Sequence, residues 1–247
     1  MRGPLLAAWL GLFPALAGAN GFATLDGHGG PVKGVDVAPD GAVATASFDY
    51  SVGYWRDGVP AWLEGHRAAV NTALFLGDGR LASAGDDFDI RIWSLADGRS
   101  QVLSGHKGKI IQLAATPDGR LLASASWDGT VGLWDLRTGA GRFLAGHGGA
   151  VNAVAFTGDG QRLYSASADG TLRLWDVASG EEMRTVLEHG FGINTVVIAE
   201  EKDWLAYGAV DGGTRVIRLS DDAVLADLTA ERRPILAMAS PPDHSRL

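Results

Sequence analysis

A chain of 247 residues with 46% hydrophobic positions is long enough to bury one sizeable core and short for several ordinary domains. Its 35 glycines are spread between short apolar runs, a composition typical of strands joined by tight turns rather than of long helices. The formal net charge of −8 and the lack of a Lys/Arg block argue against nucleic acid as a ligand, and the lack of Cys excludes disulfides and thiolate metal sites.

The first nineteen residues differ in composition from the rest of the chain. Arg2 gives a positive start, Leu5 to Leu16 is apolar, and Ala17-Gly18-Ala19 is a small-residue cleavage pattern, which predicts a secretory signal peptide. The apolar run is shorter than the roughly 20 residues that a spanning helix needs. We therefore expect a signal peptide at 1–19, a periplasmic or secreted bacterial protein, and no membrane span after cleavage.

A repeat of about forty residues organises everything that follows. Its first marker is a histidine, preceded by Gly in four of five copies: His28, His66, His106, His147 and His189. A second marker follows 27 or 28 residues later: Trp55, Trp93, Trp134, Trp175 and, in the fifth copy, Ile217. An aspartate lies six residues before each of these: Asp49, Asp87, Asp128, Asp169 and Asp211. Self-similarity at a fixed period predicts a repeat architecture.

The fourth copy shows what one repeat is expected to form. A nearly continuous apolar run leads to a glycine-rich turn, and two further tight turns separate segments of strand length. The pattern predicts a four-stranded antiparallel meander, which cannot bury both of its faces alone and must stack on its neighbours. The strands are expected over Val151 to Phe156, Leu163 to Ser167, Thr171 to Trp175 and Glu182 to Leu187.

With Gly-His near its start and Trp-Asp near its end, as at Trp134-Asp135 and Trp175-Asp176, the repeat resembles that of the WD-repeat family. The resemblance implies an all-β fold, a WD-repeat β-propeller at 20–247. We expect five complete four-stranded blades and the start of a sixth, in a truncated seven-bladed ring, because the repeat breaks off in mid-blade. The blades are expected near 22–63, 64–103, 104–144, 145–187 and 188–228, with the partial one at 229–247.

In the WD-repeat family, the matching His, Ser or Thr, Asp and Trp side chains form a hydrogen-bonded structural tetrad. A His, Ser and Asp set is also the arrangement of an acyl-transfer site. An active site is a single place, however, whereas this set recurs, so we predict no enzyme activity, no cofactor and no metal. The four tetrads are His28, Thr45, Asp49 and Trp55; His66, Ser83, Asp87 and Trp93; His106, Ser124, Asp128 and Trp134; and His147, Ser165, Asp169 and Trp175.

The fifth copy departs from the tetrad pattern. Tyr207 replaces the small hydroxyl residue and Ile217 replaces the tryptophan. His189 and Asp211 are thereby expected to lack two of their partners. Because a buried polar group without a partner is costly, the fifth blade is predicted to be the weakest.

In this family, partners often bind one rim of the propeller. They contact the residue just before the repeat aspartate, which we call the turn Asp, and the residues three and five positions after the repeat histidine. Phe48 and Trp127 stand out there, because a turn tip rarely needs a large aromatic group for folding, although each could cover a neighbouring loop. Three asparagines at the rim, Asn71, Asn152 and Asn194, could equally pair with the backbone at the strand ends. The sequence thus predicts a non-catalytic scaffold for a protein or peptide partner, with candidate contacts at Phe48, Trp127, Lys33, Asn71, Lys109, Asn152 and Asn194.

A narrower resemblance suggests an alternative. The stretches 45–53, 83–88 and 189–192 are similar to exported bacterial WD-repeat proteins in which a cytochrome c domain follows the propeller. Such domains attach haem through Cys-x-x-Cys-His, and this chain has no Cys. The alternative is therefore the partner-docking part of a periplasmic electron-transfer protein whose haem domain is absent from this chain.

Overall fold

The computed structural model describes residues 24–228 and 233–239, which form β-strands and one short 3-10 turn at Glu200–Lys202. The expected signal peptide at 1–19 lies outside the described residues, as does most of 229–247. The strands are β1 Val32–Val37, β2 Val43–Ser47, β3 Ser51–Arg56, β4 Val59–Glu64, β5 Val70–Phe75, β6 Arg80–Gly85, β7 Ile90–Ser94, β8 Ser100–Leu103, β9 Ile110–Ala115, β10 Leu121–Ser126, β11 Thr130–Asp135, β12 Gly141–Ala145, β13 Val151–Phe156, β14 Arg162–Ser167, β15 Thr171–Asp176, β16 Glu182–Glu188, β17 Ile193–Ala199, β18 Trp204–Ala209, β19 Thr214–Arg218 and β20 Val224–Asp227.

Each run of four consecutive strands makes one antiparallel sheet, so the all-β prediction and the expected four-stranded blades are confirmed. Blades 1 to 5 comprise β1–β4, β5–β8, β9–β12, β13–β16 and β17–β20. The first strand of each blade packs against the first strand of the next, in chain order from β1 to β17. This sequential packing of sheets is the arrangement of a β-propeller, in which each blade covers a face of its neighbour.

The core lies between successive blades and rests on small residues in the second strands. Ala82 and Ala84 of β6 and Ala123 and Ala125 of β10 are fully buried, and their methyl groups leave room for the larger side chains of the adjacent blade. In one such cluster, Ile110 of blade 3 packs with residues of blade 2. Fully burying a side chain of this size contributes about 2 kcal/mol, so the contacts between blades stabilise the fold.

The two ends of the row of blades differ from its middle. Val32 begins β1 and is 51% exposed, whereas its counterparts in the other four blades are fully buried: Val70, Ile110, Val151 and Ile193. Among the described residues, no sheet packs on that side of blade 1. At the other end, no strand is assigned within 233–239, but the Ile235 N–H donates to the Ala209 carbonyl at 3.1 Å. Within 233–239 the expected start of a sixth blade is therefore not a strand but a segment held to blade 5 through Ile235.

One backbone feature recurs in every blade and determines where the loops meet. The residue just before the turn Asp donates its N–H to the carbonyl of the residue three after the repeat His, at 2.8–3.0 Å. The loop entering the first strand is therefore tied to the turn joining the second and third strands, and together these segments form what we call the upper face. The five pairs are Phe48–Pro31, Asp86–Ala69, Trp127–Lys109, Ala168–Ala150 and Val210–Gly192.

Candidate interaction surface

In blades 1 to 4, the structure brings the four tetrad side chains together beneath the upper face. In blade 3, the His106 Nδ1 lies 2.7 Å from the Asp128 carboxylate and its Nε2 lies 2.7 Å from the Ser124 hydroxyl. The indole N–H of Trp134 donates to the same hydroxyl at 2.9 Å. Blades 1, 2 and 4 repeat these contacts at 2.7–3.0 Å through His28, Thr45, Asp49 and Trp55; His66, Ser83, Asp87 and Trp93; and His147, Ser165, Asp169 and Trp175.

The hydrogen bonds of a tetrad all point the same way, from the tryptophan through the hydroxyl residue and the histidine to the aspartate. The Trp134 N–H donates to Ser124, the Ser124 O–H donates to His106 Nε2, and His106 donates through Nδ1–H to Asp128. This pattern assigns the neutral Nδ1–H tautomer. Burial lowers the pKa of His106 and outweighs the raising effect of Asp128, which keeps the ring neutral at pH 7.

The tetrad carboxylates remain ionised because backbone and hydroxyl donors surround them. Burial by itself raises the pKa of Asp128, but hydrogen bonds from the Thr130 hydroxyl, the Lys107 N–H and His106 outweigh it and bring the pKa to about 2. Asp49 and Asp169 have their pKa lowered by the same balance of opposing burial and stronger hydrogen bonds. The oxygens of these carboxylates are thus committed to the protein's own donors.

Accessibility separates the tetrads from an acyl-transfer site. The hydroxyl-bearing residues Ser83, Ser124 and Ser165 are fully buried, so their oxygens cannot approach a substrate carbonyl. Each hydroxyl already accepts an indole N–H and donates to an imidazole. What this arrangement does is fasten the loop bearing the histidine to the second and third strands of its own blade.

Blade 5 corrects one expectation from the sequence. His189 was expected to lack a hydroxyl partner, but the Tyr207 hydroxyl reaches its Nδ1 at 3.2 Å, and the Arg215 guanidinium lies 3.1 Å from the same atom. The His189 ring is turned relative to the other blades, so that Nε2 faces Asp211 at 3.2 Å. The longer tyrosine side chain takes over the serine's position as partner, whereas Ile217 offers no N–H.

The candidate partner-binding residues divide into a connected group and a separate one. In the connected group, Trp127 is 52% exposed, and its indole N–H donates to Asn152 Oδ1 at 3.2 Å. The Lys109 ammonium lies 5.6 Å from the centre of the Trp127 ring and forms an ion pair with Asp86. Asn71 donates to that same Asp86 at 2.8 Å. A line of contacts therefore crosses the upper face from blade 2 to blade 4.

The three asparagines also hold neighbouring blades together. Asn71 donates to the carbonyl of Ile110 in blade 3 at 3.0 Å, and Asn152 donates to the carbonyl of Ile193 in blade 5 at 3.0 Å. Asn194 makes the same bond to Ile235, again at 3.0 Å. These side chains thus pair with strand-end backbone, as the alternative interpretation of the sequence had it, and each sits at a bulge that turns it toward the next blade.

Phe48 and Lys33 form the separate group, on blade 1. Phe48 is 45% exposed and is fixed by its backbone bond to Pro31. Lys33 lies at the bulge of β1, where Val32 pairs with Ser47, and its side chain is exposed. The two residues are adjacent on the upper face because Val32 and Ser47 are cross-strand partners.

Sequence reasoning missed two aromatic residues on the same face. Tyr50 and Phe88 have φ angles of 75° and 69°, the left-handed region that bulky side chains avoid because it costs about 1–2 kcal/mol. Their side chains are nonetheless 52% and 40% exposed. A signal was available in the sequence, because the residue after the turn Asp is glycine in the other three copies: Gly129, Gly170 and Gly212.

The described part of the chain contains neither a metal-binding cluster nor a membrane-spanning helix. Within 24–228 and 233–239, no group of three or more His, Asp or Glu side chains is arranged to hold a metal ion. The same residues include no helix that is long and apolar enough to cross a membrane. Three aspartates lie close together in the sequence of blade 2, at Asp86, Asp87 and Asp89. Their carboxylates have partners within the protein, since Asp86 pairs with Lys109, Asp87 with His66 and Asp89 with Arg67.

Comparison with known proteins agrees with the repeated geometry. A family model, WD40 (WD domain, G-beta repeat), matches residues 21–56, 60–94, 98–135 and 140–176, which together are more than half of the chain. A search of curated proteins found no match. The matched segments end at 176, so blade 5 is identified as a further copy by its sheet and its spacing.

Proposed function

The chain belongs to the WD domain, G-beta repeat family, and on this premise we propose that it is a non-catalytic scaffold that docks a protein or peptide partner on its upper face. Repeats of this family generally mediate contacts between proteins. The finer proposal is that Trp127 and Phe48 are the anchors of docking, with Lys33 and Lys109 beside them.

The state of Trp127 is the observation that carries this proposal. Half of its surface is exposed, yet the ring is held in place by its bond to Asn152 and by the Lys109 ammonium above it. An aromatic side chain that is both exposed and fixed loses little entropy when a partner covers it. Such residues contribute the largest share of binding energy at protein interfaces.

Site-directed photo-crosslinking in the native host tests the proposal. We expect a photoreactive phenylalanine at Trp127 to capture a discrete partner, while the same group at Arg99 captures none. Arg99 is a matched control because its side chain is 88% exposed and lies in the β7–β8 turn, on the opposite face. We expect Trp127→Ala to weaken partner recovery about 10-fold or more. Equal crosslinking from Arg99 would place docking elsewhere.

Export to the periplasm is part of the proposal and is supported by Arg2, the apolar run Leu5 to Leu16 and the Ala17-Gly18-Ala19 pattern. Fractionation followed by N-terminal sequencing should give a periplasmic protein that begins at Asn20. The same crosslinking experiment addresses the electron-transfer alternative, since a captured haem protein would make the upper face a docking site for a redox partner.

A further inference from the structure

Two aromatic residues hold a backbone conformation that the fold elsewhere gives to glycine. Tyr50 and Phe88 have φ angles of 75° and 69°, and the equivalent Gly129, Gly170 and Gly212 have 86°, 83° and 88°. The aromatic side chains are 52% and 40% exposed, so burial does not offset the strain. A strained residue that the fold does not need indicates a function.

These aromatic residues share one sector of the upper face with Phe48 and Trp127. Phe48 and Tyr50 flank the turn Asp of blade 1, Phe88 follows that of blade 2, and Trp127 precedes that of blade 3. All four are exposed. Blades 4 and 5 have no aromatic residue at these turn positions, which are Ala168 and Gly170, and Val210 and Gly212.

The same sector concentrates the lysines of a chain whose formal net charge is −8. Three of the four lysines, Lys33, Lys107 and Lys109, lie on the upper face of blades 1 and 3. The entering loops of blades 4 and 5 have no cation between the repeat His and the first strand, since they read Gly148-Gly149-Ala150 and Gly190-Phe191-Gly192.

A cation lies over one of these aromatic rings, and the backbone positions bring a cationic residue near each of the other three. Lys33 adjoins Phe48 across the β1–β2 pairing, and Lys109 lies over Trp127. The residue after the turn Asp lies close to the residue after the repeat His of the next blade. Gly170 of blade 4 shows this, because a Cβ on it would lie 3.4 Å from the backbone N of Gly190 in blade 5. The equivalent pairs in blades 1 and 2 are Tyr50 with Arg67 and Phe88 with Lys107.

On the entering loops and turns that make up the upper face of blades 1 to 3, the charges that remain available to a partner are positive; the exposed carboxylates of Asp26 and Glu64 lie outside these segments, two residues before the repeat histidines. Arg67 and Lys109 are paired with Asp89 and Asp86. The tetrad carboxylates of blades 1 to 3 are at most 18% exposed and accept several internal hydrogen bonds each. Lys33 and Lys107 are exposed, and within the described residues their ammonium groups make no ion pair.

We propose that this sector binds an acidic peptide segment that carries apolar side chains, with Phe48, Tyr50, Phe88 and Trp127 covering the apolar groups and Lys33 and Lys107 pairing with carboxylates. This inference rests on the proposed function, because it names the partner chemistry of the same face. Peptides with apolar groups spaced along an acidic chain match the alternation of aromatic and cationic side chains, and exposed ion pairs make such binding sensitive to salt.

Three immobilised pools of degenerate 12-residue peptides test the partner chemistry. The first contains Asp, Glu, Phe and Leu at every position, the second replaces the acids with Lys, and the third replaces Phe and Leu with Ser. We expect the full chain to be retained at least 10-fold more by the first pool, with retention falling between 50 and 300 mM NaCl. Equal retention by the three pools, or preference for the lysine pool, would overturn the proposal.

Paired variants separate this surface from a general loss of structure. Lys33→Glu with Lys107→Glu, and Tyr50→Gly with Phe88→Gly, should each reduce retention by the acidic pool at least 10-fold, the glycine pair with an unchanged or higher melting temperature. Arg99→Glu with Arg120→Glu, on the opposite face, should bind as the unmodified chain does. If the two upper-face pairs bind like that control, the surface is wrong. Crosslinking from Trp127 without preference for the acidic pool would leave the docking function standing and reject only the acidic partner.

Discussion

His106→Ala is expected to destabilise the protein far more than His189→Ala, although the two histidines occupy equivalent positions. The His106 ring makes two hydrogen bonds of 2.7 Å, to partners that are buried or nearly so. It also contacts the ring of Phe143 edge to face, at 5.0 Å between centroids. The bonds of His189 to its carboxylate and hydroxyl partners are 3.2 Å long.

The magnitudes follow from what each substitution leaves behind. Removing the His106 ring loses two buried hydrogen bonds at about 1 kcal/mol each and opens a hole beside Phe143, for a total of roughly 3–4 kcal/mol. Removing the His189 ring should cost about 1–2 kcal/mol, because Asp211 is 30% exposed and can bond to water instead. For a chain of this size these losses correspond to decreases of about 10 °C and about 4 °C in Tm.

Differential scanning calorimetry of the full chain, with His147→Ala as a second complete-tetrad variant, measures the contrast. His147 has the equivalent partners in blade 4, Asp169 and Ser165, at 3.0 and 2.7 Å, so its substitution should give a similar loss. Equal losses from His106→Ala and His189→Ala would refute the claim that the tetrads stabilise blades 1 to 4 through the strength of their hydrogen bonds.

Four further outcomes are expected. Because burial lowers the pKa of His106, the unfolded chain takes up the proton first, and the free energy of unfolding from urea titrations should fall as the pH drops below about 6.5. It should fall again between pH 4 and pH 2, where the lowered pKa of Asp128, about 2, makes folding favour the ionised carboxylate; a flat profile from pH 8 to pH 3 would contradict both. Asn152→Leu removes the bond to the next blade and should cost about 1–2 kcal/mol in the same titration, more than the exposed Lys33→Leu. Tyr50→Gly should raise Tm by about 2–8 °C, since glycine adopts φ of 75° without the cost of about 1–2 kcal/mol that a side chain pays there; a lower Tm would show that the side chain supports the fold.

The predicted boundaries of blade 4 show how far the sequence reaches. Its strands were expected from Val151, Leu163, Thr171 and Glu182, and three of them begin at that residue while the second begins one residue earlier, at Arg162. Glycine turns and apolar periodicity are local properties, so they can be read without knowing the neighbouring blades. The fifth blade was recognised in the same way, by spacing, although two of its tetrad residues are replaced, by Tyr207 and Ile217.

The candidate site was only partly accessible from the sequence. The position of Trp127 on a turn was predictable from the repeat, but its contact with Lys109 within blade 3 and with Asn152 of blade 4 was not. The sequence likewise left open whether the asparagines face a partner or the backbone, because the answer depends on a bulge that directs Asn152 to the carbonyl of Ile193.

By itself the sequence determined the repeat, the strands within it and the set of residues that the tetrads use, because a 40-residue period records local hydrogen-bonding and hydrophobic needs in every copy. Only the tertiary structure decided how one blade meets the next. It showed that the His189 ring is turned so that its Nδ1 meets the Tyr207 hydroxyl, and that the side chains of Tyr50 and Phe88 remain exposed. These features depend on packing between residues far apart in the chain, where distance and orientation, rather than residue type, determine the outcome.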